Sequence, residues 1–161
     1  MTSIVTAMTP TQISQLSTTQ IKALKTADFQ AMTTAQIQAI TTEQITAIDT
    51  EDLVILSSSQ IQALDVYDLQ LLESNQLQAL KSAQIAALTT SQIQGLTTDQ
   101  IATLTTAQVK GLETADLAVL TTDQIVAMET QDVAALSTAQ LASLGTTAVQ
   151  SLTTDQIVAL T

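Results

Sequence analysis

The feature that most constrains the fold is an eight-residue repeat that runs through all 161 residues without one insertion. Its pattern is Thr-Thr-x-Gln-Ile-x-Ala-Leu, and it occurs about twenty times. We name its positions from one octad: the cap slot is Thr41, the Gln slot Gln44, the Ile slot Ile45, the Ala slot Ala47 and the Leu slot Ile48. Because insertions are normally tolerated in loops, the unbroken frame predicts that each octad packs on others.

Two slots in each octad are apolar and three residues apart, so they share one face of a helix. The Leu slot holds only Leu, Ile or Met. The Ile slot holds Val5, Ile13, Ile21, Phe29, Ile37, Ile45, Leu53, Ile61, Leu69, Leu77, Ile85, Ile93, Ile101, Val109, Leu117, Ile125, Val133, Leu141, Val149 and Ile157.

One long helix does not suit this spacing. The next Ile slot follows five residues after each Leu slot, about 140° away on a continuous helix. The apolar stripe would therefore turn by about 80° with every octad. A period of seven or eleven residues avoids this drift by supercoiling, but a period of eight does not. The sequence therefore predicts a break in the helix once per octad.

The break has the chemistry of a helix start. Thr41 and Gln44 have the spacing of a capping box, in which each side chain satisfies a backbone amide that the helix leaves free. Ile40 and Ile45 have the spacing of a hydrophobic staple. The only proline, Pro10, falls at the first helical position, where its missing N–H costs nothing.

Other octads depart from this cap. The residue after the cap slot is Ser or Thr in 18 of 20 octads, whereas the cap slot itself is less regular. We expect that this second hydroxyl either caps the helix in the exceptional octads or bonds to a neighbouring coil. The exceptional cap slots hold Lys25, Glu73, Lys81, Glu113 and Glu129.

The predicted fold class is therefore all-α: a solenoid of short capped helices, one per octad. Helices this short are not stable alone, so stability must come from neighbours, as in solenoids generally. A β-solenoid is the alternative, because Ile and Thr suit strands, but Ala, Gln and Leu favour helix. We expect a single repeat domain over residues 1–161. It is either a segment of a longer array or an array whose ends stack on other copies.

A weaker second period concerns the number of octads in each superhelical coil. Four of the five Asp residues in the Gln slot lie 16 or 48 residues apart, and Gly95 and Gly111 are also 16 apart. This spacing favours two octads per coil, with three as the alternative. The five are Asp28, Asp52, Asp68, Asp116 and Asp132.

Charge and composition exclude several functions. The net charge of −11 disfavours nucleic acid and anionic membranes as partners. No apolar run approaches the roughly 20 residues of a membrane span, and the N-terminus has no signal-peptide pattern. The chain contains no Cys, His, Arg or Trp. We therefore predict no enzyme activity, no catalytic or metal-binding residues and no cofactor, and we assign the clusters Glu51-Asp52 and Asp65 to Asp68 to helix capping.

Units such as Leu88-Thr89-Thr90-Ser91-Gln92-Ile93 and Leu96-Thr97-Thr98-Asp99-Gln100-Ile101 carry a resemblance over the whole chain. The sequence resembles the Thr/Gln-rich octapeptide arrays of very large bacterial surface or secreted proteins, which are described as adhesion-like or haem-utilisation-like. The resemblance implies an extracellular or cell-surface location and an extended, load-spanning or adhesive role. It implies no haem ligand here, because the chain has no His.

A uniform array predicts a non-enzymatic structural protein, either a spacer or stalk or the protomer of a self-assembling filament. The alternative is a solenoid module that binds a protein or a polysaccharide. For that alternative the candidate partner contacts are Val66 and Tyr67, which depart from the consensus near three further deviations, Val54, Ile55 and Leu71.

Overall fold

A computed structural model describes residues 3–160. Each octad forms one short helix, and no strand occurs among the described residues. The all-α solenoid of short helices is thus confirmed, and the β-solenoid alternative is wrong. No helix within residues 3–160 is long and apolar enough to cross a membrane.

The chain divides into two compact units, one ending at Leu80 and the other beginning at Lys81. The first unit opens with a 3₁₀ helix, Ile4–Ala7, and continues with nine α-helices. These are α1 (Pro10–Ser14), α2 (Thr18–Lys22), α3 (Thr26–Ala31), α4 (Thr34–Ile37), α5 (Thr42–Ile45), α6 (Thr50–Leu53), α7 (Ser58–Ala63), α8 (Val66–Gln70) and α9 (Ser74–Ala79).

The second unit contains ten α-helices of four to six residues. These are α10 (Ser82–Ile85), α11 (Thr90–Gly95), α12 (Thr98–Thr103), α13 (Thr106–Gly111), α14 (Thr114–Ala118), α15 (Thr122–Ala127), α16 (Thr130–Ala134), α17 (Thr138–Ser143), α18 (Thr146–Ser151) and α19 (Thr154–Ala159).

Within each unit, every helix packs on the helix three places further along the chain. The 3₁₀ helix contacts α3, α1 contacts α4, and the pattern continues to α6 on α9. In the second unit it runs from α10 on α13 to α16 on α19. One coil therefore contains three octads, or 24 residues, and helices that stack on one another form a column.

The prediction of two octads per coil was wrong. The 16-residue spacings, such as Asp52 to Asp68, join helices α6 and α8, which stand in different columns. The informative spacing was 24, because Asp28 and Asp52 share one column.

The interior consists of the Ile and Leu slots. Every Ile-slot side chain up to Val133 is at most 2% exposed. The small Ala slot allows helices to approach closely. A Cβ on Gly111 of α13, for example, would lie 3.1 Å from the carbonyl oxygen of Ser82 in α10. The octad thus supplies a large residue for the core and a small residue for the contact between coils.

The corners between helices need no special backbone. Each cap-slot residue is extended, as at Thr41 with ψ 162°, and no described residue has a positive φ. Pro10 is the first residue of α1 and Thr9 is its cap, which confirms the frame read from the sequence. Hydrogen bonds between side chains and backbone, described below, hold each corner.

Candidate functional site: the interface between coils

The Gln slot joins consecutive coils. Gln36 is 3% exposed. Its Oε1 accepts a hydrogen bond from the backbone N–H of Thr33, at 2.8 Å. Its Nε2 donates to the carbonyl oxygens of Val5, at 2.7 Å, and Met8, at 2.8 Å. Because an amide N–H can only donate and a carbonyl can only accept, these partners fix which way the side-chain amide points.

The same bridge recurs along both units. Gln44 donates to the carbonyl oxygens of Ile13 and Leu16, at 2.9 and 2.6 Å. In general, the acceptors are the Ile-slot and Leu-slot carbonyls of the octad four places earlier. A buried polar group is costly unless it is hydrogen-bonded, and here one side chain satisfies backbone groups of two coils. Further glutamines with such a bond include Gln60, Gln76, Gln124, Gln140 and Gln156.

The sequence predicted only half of this role. The capping box is present, for example between Thr41 and Gln44, but the bonds from Nε2 to the earlier coil were missed. A signal for them existed: a capping box accepts Glu as readily as Gln, yet no octad carries Glu in the Gln slot. Of these two residues, only Gln has a side chain that both accepts a hydrogen bond, through Oε1, and donates one, through Nε2.

Several octads with Lys or Glu in the cap slot keep the other half of the box. The backbone N–H groups of Glu73 and Lys81 still donate to Gln76 and Gln84, at 2.9 Å each, while their side chains make no cap bond. Of the two roles expected for the second hydroxyl, bonding to a neighbouring coil is the one observed. Thr106 donates to Oδ1 of Asp132, on a helix one coil away, at 2.6 Å.

Aspartate in the Gln slot gives a different interface, because a carboxylate has no N–H to donate. At Asp28 this suits the surroundings, since the free N–H of Ile4 and the hydroxyl of Ser3 both donate to Oδ1. The Ser3 hydroxyl, followed by the backbone N–H of Lys25, lowers the pKa of Asp28 below its usual value.

The other aspartates lie in less favourable surroundings. Burial, followed by the charge of the neighbouring Asp65, raises the pKa of Asp68 to about 6. Burial also raises the pKa of Asp52 and of Asp116. Asp132 is 1% exposed, and its Oδ2 has no hydrogen-bond partner among the described residues. A raised pKa often marks a reactive group, but Asp52, Asp68 and Asp116 are each at most 8% exposed.

The candidate contacts Val66 and Tyr67 begin α8. Tyr67 is 71% exposed and Val66 is half-buried. Leu71, one turn after Tyr67, is 44% exposed and shares its face. Val54 and Ile55 are half-buried after α6, which belongs to another column. The structure therefore places Tyr67 and Leu71 on one face. Val54 and Ile55 lie elsewhere, after α6.

An open hollow of about 630 Å³ lies in the first unit, at the corners that begin α3, α6 and α9. Its lining carries both signs of charge, with Lys22 and Lys25 opposite Asp49, Glu51 and Glu73. In the part of the chain that the structure describes, no group of three acidic residues is placed to hold a metal ion. We assign no chemistry to this hollow.

A stack of capped helices, one per octad and three per coil, defines an α-helical octad-repeat protein. A family model described as the ALTTAQ repeat matches residues 22–51, 69–106, 102–130 and 125–161, which together make up more than half of the chain. The chain belongs to the ALTTAQ repeat family. No curated protein matches the sequence.

Proposed function

We propose that the chain is a non-enzymatic structural repeat, a spacer or stalk in a bacterial surface or secreted protein. The observation that supports this proposal is the uniformity of the interface between coils. The glutamine bridge recurs between Gln36 and Gln156 with aspartate at some positions, and the Ile slot is buried up to Val133. A spacer needs a unit that can be added without changing its neighbours, and we propose that the 24-residue coil is this unit.

The composition supports the absence of catalysis. The chain has no His or Cys to act as a base or nucleophile. Asp68, whose pKa burial raises to about 6, is 4% exposed. The surface location and the adhesive role rest on the resemblance to bacterial octapeptide arrays, and we carry them as part of the proposal.

Insertion of one coil tests the spacer proposal. A duplicate of residues Thr89–Leu112, placed after Leu112, adds three octads to the second unit. We expect small-angle scattering to show a particle longer by about 8–10 Å, the distance between packed helices, with one cooperative unfolding transition.

The matched control is a Gly/Ser insertion of the same 24 residues, which forms a flexible loop and adds no helical signal. An unchanged length after the coil insertion, or loss of helical structure, contradicts the spacer proposal.

The second candidate function is a binding module for a protein or a polysaccharide. The observation that favours it is the exposed pair Tyr67 and Leu71 on one face of α8. Val66→Thr with Tyr67→Ala restores the consensus there. We expect this variant to lose retention in pull-down and glycan-array assays if the module binds through α8.

Val158→Thr, at another exposed valine, is the control. Equal retention of the two variants removes α8 as a binding surface.

A further inference from the structure

The carboxylate of Asp132 is buried between coils with one of its two oxygens unsatisfied. Asp132 occupies the Gln slot of α16 and is 1% exposed. Its Oδ1 accepts a hydrogen bond from the hydroxyl of Thr106, at 2.6 Å. Its Oδ2 has no hydrogen-bond partner among residues 3–160. Because a buried charge is costly unless it is paired, this oxygen indicates a positively charged ligand.

The register of the coils determines which groups face Asp132. In the same unit, Nε2 of Gln124 donates to the Ile-slot and Leu-slot carbonyl oxygens of the octad four places earlier, at 3.1 and 2.7 Å. For Asp132, the same two positions are the carbonyl oxygens of Ile101 and Leu104. Oxygen atoms therefore surround the place where a glutamine octad has its amide nitrogen.

The length of the side chain leaves room for an ion there. Aspartate is shorter than glutamine by one methylene group, which corresponds to a bond of about 1.5 Å. Nε2 of Gln124 lies 2.7 Å from the carbonyl oxygen of Leu96, so the oxygen of an aspartate in this slot is set back to about 4 Å. A Ca²⁺ ion binds oxygen at about 2.3–2.6 Å and reaches two ligands at that separation.

A second acid accompanies Asp132. Glu129 occupies the cap slot of the same octad, and its side chain makes no cap bond. Four of the five octads with Asp in the Gln slot have an acid in the cap slot, against one of the other fifteen. The fifth has Lys25 beside Asp28. Because like charges three residues apart on a helix repel, the pairing of acids indicates a positive partner that both carboxylates share.

We propose that Asp132 and Glu129, with the carbonyl oxygens of Ile101 and Leu104, bind a hard divalent cation of the calcium type between α16 and the preceding coil. The cation links the two coils where other octads use the glutamine bridge. In the described part of the chain no three acidic residues are placed to hold a metal, so two carboxylates, backbone oxygens and water supply the ligands. Because few of these ligands are charged, we expect a dissociation constant of about 0.1–1 mM.

This inference goes beyond the spacer proposal and revises the sequence prediction that the chain has no metal-binding residues. Calcium titration of the full 161-residue chain tests it. We expect isothermal titration calorimetry to detect binding by the wild type. We also expect about 10 mM CaCl₂ to raise the thermal midpoint by about 3–6 °C relative to EDTA.

MgCl₂ at the same concentration controls for general screening of the net charge of −11. Mg²⁺ requires near-ideal octahedral geometry and loses its water reluctantly, so it should raise the midpoint less than calcium does. An equal effect of the two salts, or a wild-type chain that does not respond to calcium, overturns the proposal.

Asp132→Asn removes the carboxylate charge with the smallest change of shape. We expect this variant to bind one calcium ion fewer than the wild type. Asp123→Asn is the matched control, because Asp123 is an exposed acid on the neighbouring helix α15 and its substitution changes the net charge equally. Loss of the ion in both variants, or in neither, overturns the proposal.

Asp132→Gln keeps the test decisive if the asparagine variant fails to fold, because it restores the glutamine bridge of the consensus octad. We expect it to be at least as stable as the wild type in EDTA and to lose the calcium ion. Glu129→Gln keeps Asp132 and should weaken calcium binding about tenfold, because the number of charged ligands sets the affinity of such sites. Unchanged calcium affinity in either variant contradicts the proposed ligands.

Discussion

Gln44 of α5 and Asp68 of α8 occupy the same slot on two helices that stack directly on each other. Gln44 satisfies backbone groups of two coils, whereas Asp68 has burial and Asp65 acting against its charge. The difference indicates that the Gln slot favours a side chain that accepts one hydrogen bond and donates others at the same time. Helix capping alone could be provided by either Gln or Asp.

The largest expected effect comes from Gln44→Glu. The substitution keeps an acceptor for the N–H of Thr41, removes both donors to the earlier coil and buries a negative charge among carbonyl oxygens. We expect the free energy of unfolding at pH 7, measured in urea, to fall by about 3–5 kcal/mol.

Gln20→Glu is the matched control for this substitution, because Gln20 has the same capping bond but its side chain is exposed. Gln20→Glu should change the free energy of unfolding by about 0.5 kcal/mol or less. Equal losses in the two variants would show that capping, not the bridge, is what the slot provides.

Replacing Asp by Gln should raise the free energy of unfolding at one position and lower it at another. Asp68→Gln gives the slot a donor for the carbonyl oxygens of Ile37 and Ile40, and we expect a gain of about 1–2 kcal/mol at pH 7. Asp28→Gln loses the acceptor oxygen shared by Ser3 and Ile4 and should destabilise by a similar amount. Urea unfolding of both variants measures these free energies. If both variants changed stability in the same direction, the contrast between Asp68 and Asp28 would be contradicted.

The pH dependence of stability separates the same two residues. The folded-state pKa of Asp68, about 6, lies above the ordinary value of 3.8, so between these values the unfolded chain binds fewer protons. Stability therefore falls as pH rises from about 4 to 6, and Asp68→Asn should remove that fall. Asp28 has the opposite effect, because its pKa is lowered in the folded state. Its contribution to stability is present above pH 3.8 and is lost on acidification.

The smallest expected effect concerns the cap slot. The Thr97 hydroxyl oxygen accepts a hydrogen bond from the N–H of Gln100, at 3.1 Å, and Thr97→Ala should cost about 1 kcal/mol. The Lys81 side chain makes no cap bond, so Lys81→Ala should leave the thermal midpoint nearly unchanged. A comparable loss at Lys81 would assign its side chain a role beyond the cap.

The sequence predicted what depends on residues close together in the chain. One helix per octad, the start at Pro10 and the box between Thr41 and Gln44 follow from propensity and capping geometry, which act within a few residues. These parts were confirmed because packing reinforces them and does not override them.

What the sequence did not predict depends on residues about 24 to 31 apart. The number of octads per coil is set by which helices stack, and no local signal reports it. The roles of Gln36 and Asp28 differ for the same reason: Gln36 faces the carbonyls of Val5 and Met8, whereas Asp28 faces the free N–H of Ile4. Reading those roles required knowing the partner octad first.

A corner that any L-amino acid can occupy has a consequence for how such an array evolves. No described residue has a positive φ, so a duplicated octad need not acquire glycine before it folds. Lys25, Glu73 and Lys81 already stand in cap slots without changing the path of the backbone. Point mutations can therefore alter the outer charge of the protein while its buried framework is inherited intact.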